Sequence, residues 1–305
     1  MNEVFTMWKK TKMVVLVALC AGLYAAILIP FKGFVLIPGI TEFRPASALP
    51  VVMGLLFGPA GAWGSAIGNL IGDFFGSLGI GSIFGFVGNF FFAYVPYKLW
   101  INLGIVPSQD REPYPNSRRK VVAYVVVSFL GSAGCALPIA WGLELLGMVP
   151  FGALGSIIVL NNTIPAVVLG LPILTVLYPR IKKWDLLWTD IMDEHEIPVG
   201  GAMSLIGAFF MTLSILLGMA GGFLAASRAG QGLLHSGFSA GGVVGSLGWC
   251  WWRASARRAW CYRPLSSPCP PRSAKRGPNA APILERSPRE SSGGYNGGAS
   301  GSPGG

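Results

Sequence analysis

Apolar residues fall along this chain in long runs separated by short polar, glycine- or proline-bearing stretches. Runs at 13–29, 60–76, 82–103, 121–146, 151–178 and 202–226 are near bilayer length, and a shorter one lies at 46–58. A helix rises about 1.5 Å per residue and a bilayer core is about 30 Å thick, so each long run predicts a membrane-crossing helix. The fold class expected is therefore an all-α integral membrane protein. Lys9, Lys10 and Lys12 precede the first run, but no small-residue cleavage site is evident, so it reads as a span rather than a signal peptide. The pair Gly58-Pro59 predicts a turn that splits 46–76 into two helices, because proline disfavours helical backbone in the residue before it.

Composition agrees: of 305 residues, 52% are hydrophobic and only 12% charged, against about a quarter charged in a soluble domain. The formal charge of +10 would suggest nucleic acid as a partner if it were spread over a soluble surface. It is not. Residues 1–227 carry 13 basic and 11 acidic residues, whereas 228–305 carry 10 basic and 2 acidic. Gly, Ser, Pro and Arg supply 44 of the 78 residues from Arg228 onward, so 253–305 is expected to be disordered. The abrupt change near 228 also fits a frame error or an unrelated fused tail. No Cys pair has zinc-site spacing, and Cys20 and Cys135 lie in apolar runs as small core residues.

Within 1–227, basic residues cluster at Lys9–Lys12, at Arg111, Arg118, Arg119 and Lys120, and at Arg180, Lys182 and Lys183. The positive-inside rule places all three in the cytoplasm, which requires an even number of spans between them. Four spans and then two satisfy this, giving six helices with both ends inside. The expected organisation is a membrane core over 1–180, a cytoplasmic connector over 181–201, further hydrophobic sequence over 202–252, and the tail. A seventh span at 202–226 leaves the tail outside unless 232–252 crosses as a weak eighth. That parity stays open.

Small residues recur at helical spacing. Gly64, Gly68, Gly72 and Gly76 form a stripe, and the first span carries two offset rows, Ala18/Gly22/Ala26 and Ala21/Ala25. Helices in lipid associate through close backbone contact at such positions. One row on the first span serves a neighbour in the bundle; the other is free to serve a partner helix.

Intramembrane polar groups are costly and tend to mark function. In the orientation above, Asn69, Asp73, Asn89, Trp141, Glu144, Asn161 and Asn162 fall toward the outer side, with Glu42 and Arg44 at the entrance to the second span. Both charge signs and the aromatic residues Trp63 and Trp141 predict an outward-facing pocket for a polar molecule with a flat ring. No phosphate-binding loop or HExxH motif occurs, and residues 1–227 hold no GxSxG, so the chain is not expected to hydrolyse ATP, act as an enzyme or carry a cofactor. The run Asp190, Asp193, Glu194, His195, Glu196 matches no metal motif and reads as a solvated connector.

The passage FRPASALPVVMGLLFGPAGAWGSAIGNLIGDFFG (43–76) and the small-xxx-small rows of the first span resemble the substrate-specific S component of energy-coupling factor (ECF) transporters. The resemblance covers about 12–180. It implies a plasma-membrane, multi-pass subunit with a cytoplasmic N-terminus that binds a water-soluble vitamin or cofactor precursor from outside. It further implies docking through Ala18, Ala21, Gly22 and Ala25 onto a membrane T component carrying two cassette ATPases. Arg44, Asn69, Asp73, Asn89, Trp141, Glu144, Asn161 and Asn162 are then the substrate-binding candidates. A self-sufficient secondary transporter is the alternative, and an intramembrane enzyme the third reading.

Overall fold

A computed structural model describes residues 3–31, 35–37, 41–42, 44–76, 78–106, 112–193 and 202–227. The tail read as disordered, and the weak eighth crossing at 232–252, lie outside these residues, as does His195 with its neighbours Glu194 and Glu196. The helices are α1 (Glu3–Thr6), α2 (Thr11–Phe31), α3 (Ala48–Phe57), α4 (Pro59–Phe74), α5 (Gly81–Asn102), α6 (Arg118–Leu145), α7 (Phe151–Val168), α8 (Gly170–Lys183), α9 (Trp188–Ile191) and α10 (Ala202–Ala226). Between α2 and α3 runs a minimal antiparallel ribbon, Val35–Ile37 with Thr41–Glu42. Among the described residues, four helices, α2, α6, α7 and most of α10, are long and apolar enough to cross a membrane. The all-α membrane class is as expected.

The breaks follow from proline. Gly58 adopts φ +57 between α3 and α4, so the 46–76 run is two helices. The run at 151–178 is also interrupted, at Leu169, which was not foreseen. Pro172 has no N–H to offer the Val168 carbonyl one turn earlier, so the helix restarts at Gly170. At the start of α6, Ser117 is an N-cap whose Oγ accepts from the Lys120 backbone N–H at 3.4 Å.

Ion pairs gather the basic clusters at one end of the bundle. Lys10 Nζ lies 2.9 Å from Asp193 Oδ2, Lys182 pairs with Glu112, and Lys98 pairs with Glu3. The Lys182 ammonium beside it, with Tyr178, holds the Glu112 carboxyl below the usual carboxylate range. α10 starts near this end, with Leu205 against Gly104, and finishes at the other, where Ala226 and Phe223 meet Gly152.

The α2–α4 contact sets the core. A Cβ at Gly64 would collide with the Cys20 side chain, and one at Gly68 would lie 2.8 Å from the Ala21 carbonyl oxygen and 3.0 Å from Tyr24 Cβ. Each Gly in a helix costs about 1 kcal/mol relative to Ala, and the backbone approach offsets that cost. Gly76 is not part of this packing; at φ +149 with open space around it, it belongs to the turn after α4. Ala21 and Ala25 are buried here, while Ala18, Gly22 and Ala26 are exposed. The four residues expected to dock are therefore divided: Ala21, beside Gly64 and Gly68 of α4, and Ala25 are buried, whereas Ala18 and Gly22 are exposed.

Gly68→Leu is expected to cost about 1–3 kcal/mol by overpacking, seen as a melting temperature lowered by several degrees in detergent. Gly22→Leu, with nothing within 4 Å of its Cβ position, should melt like the parent. Equal melting of the two variants would contradict the packing described.

Candidate functional site

Three helices place the first half of the site. Asn69 and Asp73 stand one turn apart on α4, and Asn69 Nδ2 donates to Asp73 Oδ2 at 3.2 Å. Tyr24 of α2 donates its hydroxyl to Asn89 Oδ1 of α5 at 2.9 Å, and Asn89 Nδ2 donates to the Gly85 carbonyl at 2.8 Å. Gly85 lets α4 come close: a Cβ there would lie 3.1 Å from Asn69 Nδ2 and 3.6 Å from Asp73 Oδ2. Tyr24, Asn69, Asp73 and Asn89 are all buried. Among the described residues, Asn69 Oδ1 has no hydrogen-bond partner, although the residue is only 2% exposed. An unpaired buried acceptor costs about 1–3 kcal/mol, so it is a natural place for a ligand donor.

The second half forms around the start of α3. Ser47 Oγ donates to Asn162 Oδ1 of α7 at 2.9 Å, and Asn162 also hydrogen-bonds the Cys135 side chain of α6. Ser47 is 1% exposed and Asn162 5%. Arg44 stands half-buried just before this turn. Carboxylate, guanidinium, amides and hydroxyls thus converge from α2, α4, α5, α6, α7 and the turn before α3. Such a set can pair with both donors and acceptors on one small polar solute.

Not every expected residue belongs to this convergence. Glu144 Oε2 accepts from the Phe151 backbone N–H at 2.6 Å, closing the turn from α6 into α7 and stabilising the N-terminus of α7. Trp141 donates Nε1 to the Gly218 carbonyl of α10 at 3.3 Å and packs on Phe151. These two residues hold helices together. Trp63, read as a pocket wall, sits instead at the basic end, packed on Trp8 and Phe90 and donating to the Val4 carbonyl at 3.1 Å. Asn161 is half-buried beside Asn162 on α7, and the Glu42 side chain lies outside the described residues. Tyr24, Ser47 and Cys135 are the additions; Tyr24 could have been noticed as the one polar group between Ala21 and Ala25.

With this geometry in place, the comparison with known families is decisive: the QueT transporter family model matches residues 14–179. The chain belongs to the QueT transporter family. QueT proteins are S components of the ECF type, described as queuosine precursor transporters. No curated protein and no solved structure matches the chain. The QueT match takes in α2 through most of α8, and so every polar residue of the converging set, while α9 and α10 lie beyond it. This QueT chain is therefore a multi-pass membrane transporter component of the substrate-specific S type.

The two kinds of polar residue should separate by experiment. Asn162→Leu is expected to abolish small-molecule binding by the purified protein, measured by calorimetry. Glu144→Ala should cost about 1 kcal/mol in stability through the lost cap yet leave binding within about twofold. Loss of binding in Glu144→Ala at unchanged stability would contradict the assignment.

Proposed function

We propose that this QueT chain is the substrate-binding subunit of an ATP-driven ECF-type importer and that its cargo is a queuosine precursor. The observation that carries the reading is the set of buried polar residues Asn69, Asp73, Asn89 and Asn162, with Tyr24, Ser47 and the half-buried Arg44, inside the family-matched core. A flat nitrogen heterocycle has ring N–H donors and carbonyl or ring-nitrogen acceptors along its edges. Asp73 and the free Asn69 Oδ1 suit the donor edge, and Arg44 suits an acceptor. Burial makes each such pairing selective, because a solute lacking the matching group leaves a protein group unsatisfied.

The chain contains no phosphate-binding loop, so energy comes from partners: a membrane T component and two cassette ATPases. The docking face is the exposed row Ala18, Gly22 and Ala26 on α2, flanked by the exposed Val15, Leu19 and Leu23. Small residues there let a partner helix approach backbone to backbone. The N-terminus and the basic end face the cytoplasm, in keeping with the positive-inside rule.

Gly22→Trp separates binding from energised transport. Co-expressed with partner subunits, it should lose ATP-dependent uptake of a labelled queuosine precursor at least tenfold while the purified variant binds as the parent does. Undiminished uptake would overturn the docking face; uptake in ATP-depleted vesicles driven by an ion gradient would overturn the ATP-driven reading.

A further inference from the structure

Beyond the family-matched core, the segment after α8 folds back under the basic end. Trp184 and Asp185 turn the chain, with Asp185 at φ +50, and α9 then brings Trp188 into the bundle. Trp188 is 5% exposed, lies edge-on to Tyr97 of α5 with ring centroids 5.0 Å apart, and donates Nε1 to the Leu55 carbonyl at 3.2 Å. That carbonyl has a particular history. In a continuous helix it would accept the N–H of residue 59, but residue 59 is proline and has none. The indole therefore fills the acceptor that the α3–α4 break leaves open. Gly58 completes the seat: a Cβ there would lie 3.1 Å from Trp188 Cβ and Cγ and 3.2 Å from Tyr97 Cε2. A few residues on, Ile191 O and Asp193 Oδ2 hold Lys10 Nζ, at 3.4 and 2.9 Å, at the start of α2.

α3 connects this seat to the site. It is ten residues long, buried throughout, and has Ser47 immediately before its first residue and Leu55 in its last turn. Eight residues of helix span roughly 12 Å. A tilt released at Leu55 therefore displaces Ser47, whose hydroxyl holds Asn162.

We propose that residues 184–193 form a strap that closes the basic end of the transporter, with Trp188 as the positioning residue that holds α3, and through it Ser47 and Asn162, in the closed arrangement. The role in transport rests on the function proposed above; the mechanical coupling does not. The Lys10–Asp193 pair is partly exposed and weak on its own. Its position at the root of α2 links the strap to the helix that docks, so partner binding and strap release act on one element.

Two experiments on the full chain test this. In nanodiscs, Trp188→Phe keeps a ring and removes the donor, and Trp188→Ala removes both. Hydrogen exchange should quicken about tenfold in α3 and around Asn162 in Trp188→Phe, and more in Trp188→Ala, with α10 unchanged. Faster exchange confined to 184–193 would overturn the coupling. In a Cys250→Ser, Cys261→Ser, Cys269→Ser background, Lys10→Cys with Asp193→Cys can be joined by a short reductant-cleavable bis-maleimide. Uptake of a labelled queuosine precursor with partner subunits should stop on cross-linking and return on reduction; unimpeded uptake by the cross-linked protein would overturn the strap. Exchange is read without substrate, so it decides the coupling even where uptake fails because the cargo is wrong.

Discussion

The structure depends on the contact between α2 and α4. Two helices in lipid gain nothing by hiding apolar surface from each other, so their association rests on how closely their backbones approach. Gly64 and Gly68 remove the side chains that would keep them apart, and the backbone around Cys20, Ala21 and Tyr24 fills the space. With that face fixed, the rest of the site is placed: Tyr24 reaches Asn89 on α5, and Asn69 and Asp73, on the same helix as the glycines, stand beside Gly85. The opposite face of α2 is left with Ala18, Gly22 and Ala26 exposed. One helix thus supports the bundle on one side and offers a small-residue surface on the other.

A second constraint is backbone satisfaction where helices break. Within a bilayer an unpaired carbonyl has no water to turn to, and an irregular segment persists only where protein supplies the partner. The α3–α4 corner meets that requirement with the Trp188 indole, and the start of α7 meets it with the Glu144 carboxylate. Both partners come from outside the helix they serve. Each break is therefore also a joint between elements, and the two joints lie at opposite ends of the helix bundle.

Much of this was legible from residue order alone. Gly58-Pro59 announces its break because both effects are local to the dipeptide. The offset of the two small-residue rows on α2 follows from helix geometry, although which row faces inward did not; that depends on where Gly64 and Gly68 lie in space. The contacts of Trp141 and Glu144, expected as pocket residues, were hidden for a similar reason. Depth along a helix is encoded by sequence position, but the partner, Gly218 or Phe151, is set by tertiary packing. Trp188 was hidden inside a stretch whose acids suggested a solvated connector. Its meaning appears only beside Pro59, more than a hundred residues away. Ser47 likewise gains significance from Asn162. The interruption at Leu169 had a local cause in Pro172, and the apolar run across it masked the signal.

These relations give a consistent account of a QueT chain in which a rigid α2–α4 pair supports a buried polar site, with a small-residue face left for a partner. The central claim is that the site holds one small polar solute in the isolated subunit. Native mass spectrometry of the full chain, released from detergent after incubation with a queuosine precursor, tests it most directly. The account predicts a single added mass per chain that persists through buffer exchange and is absent from a Tyr24→Phe, Asn69→Leu double variant that remains folded. An added mass retained equally by that variant, or no adduct on the folded parent chain, would contradict it.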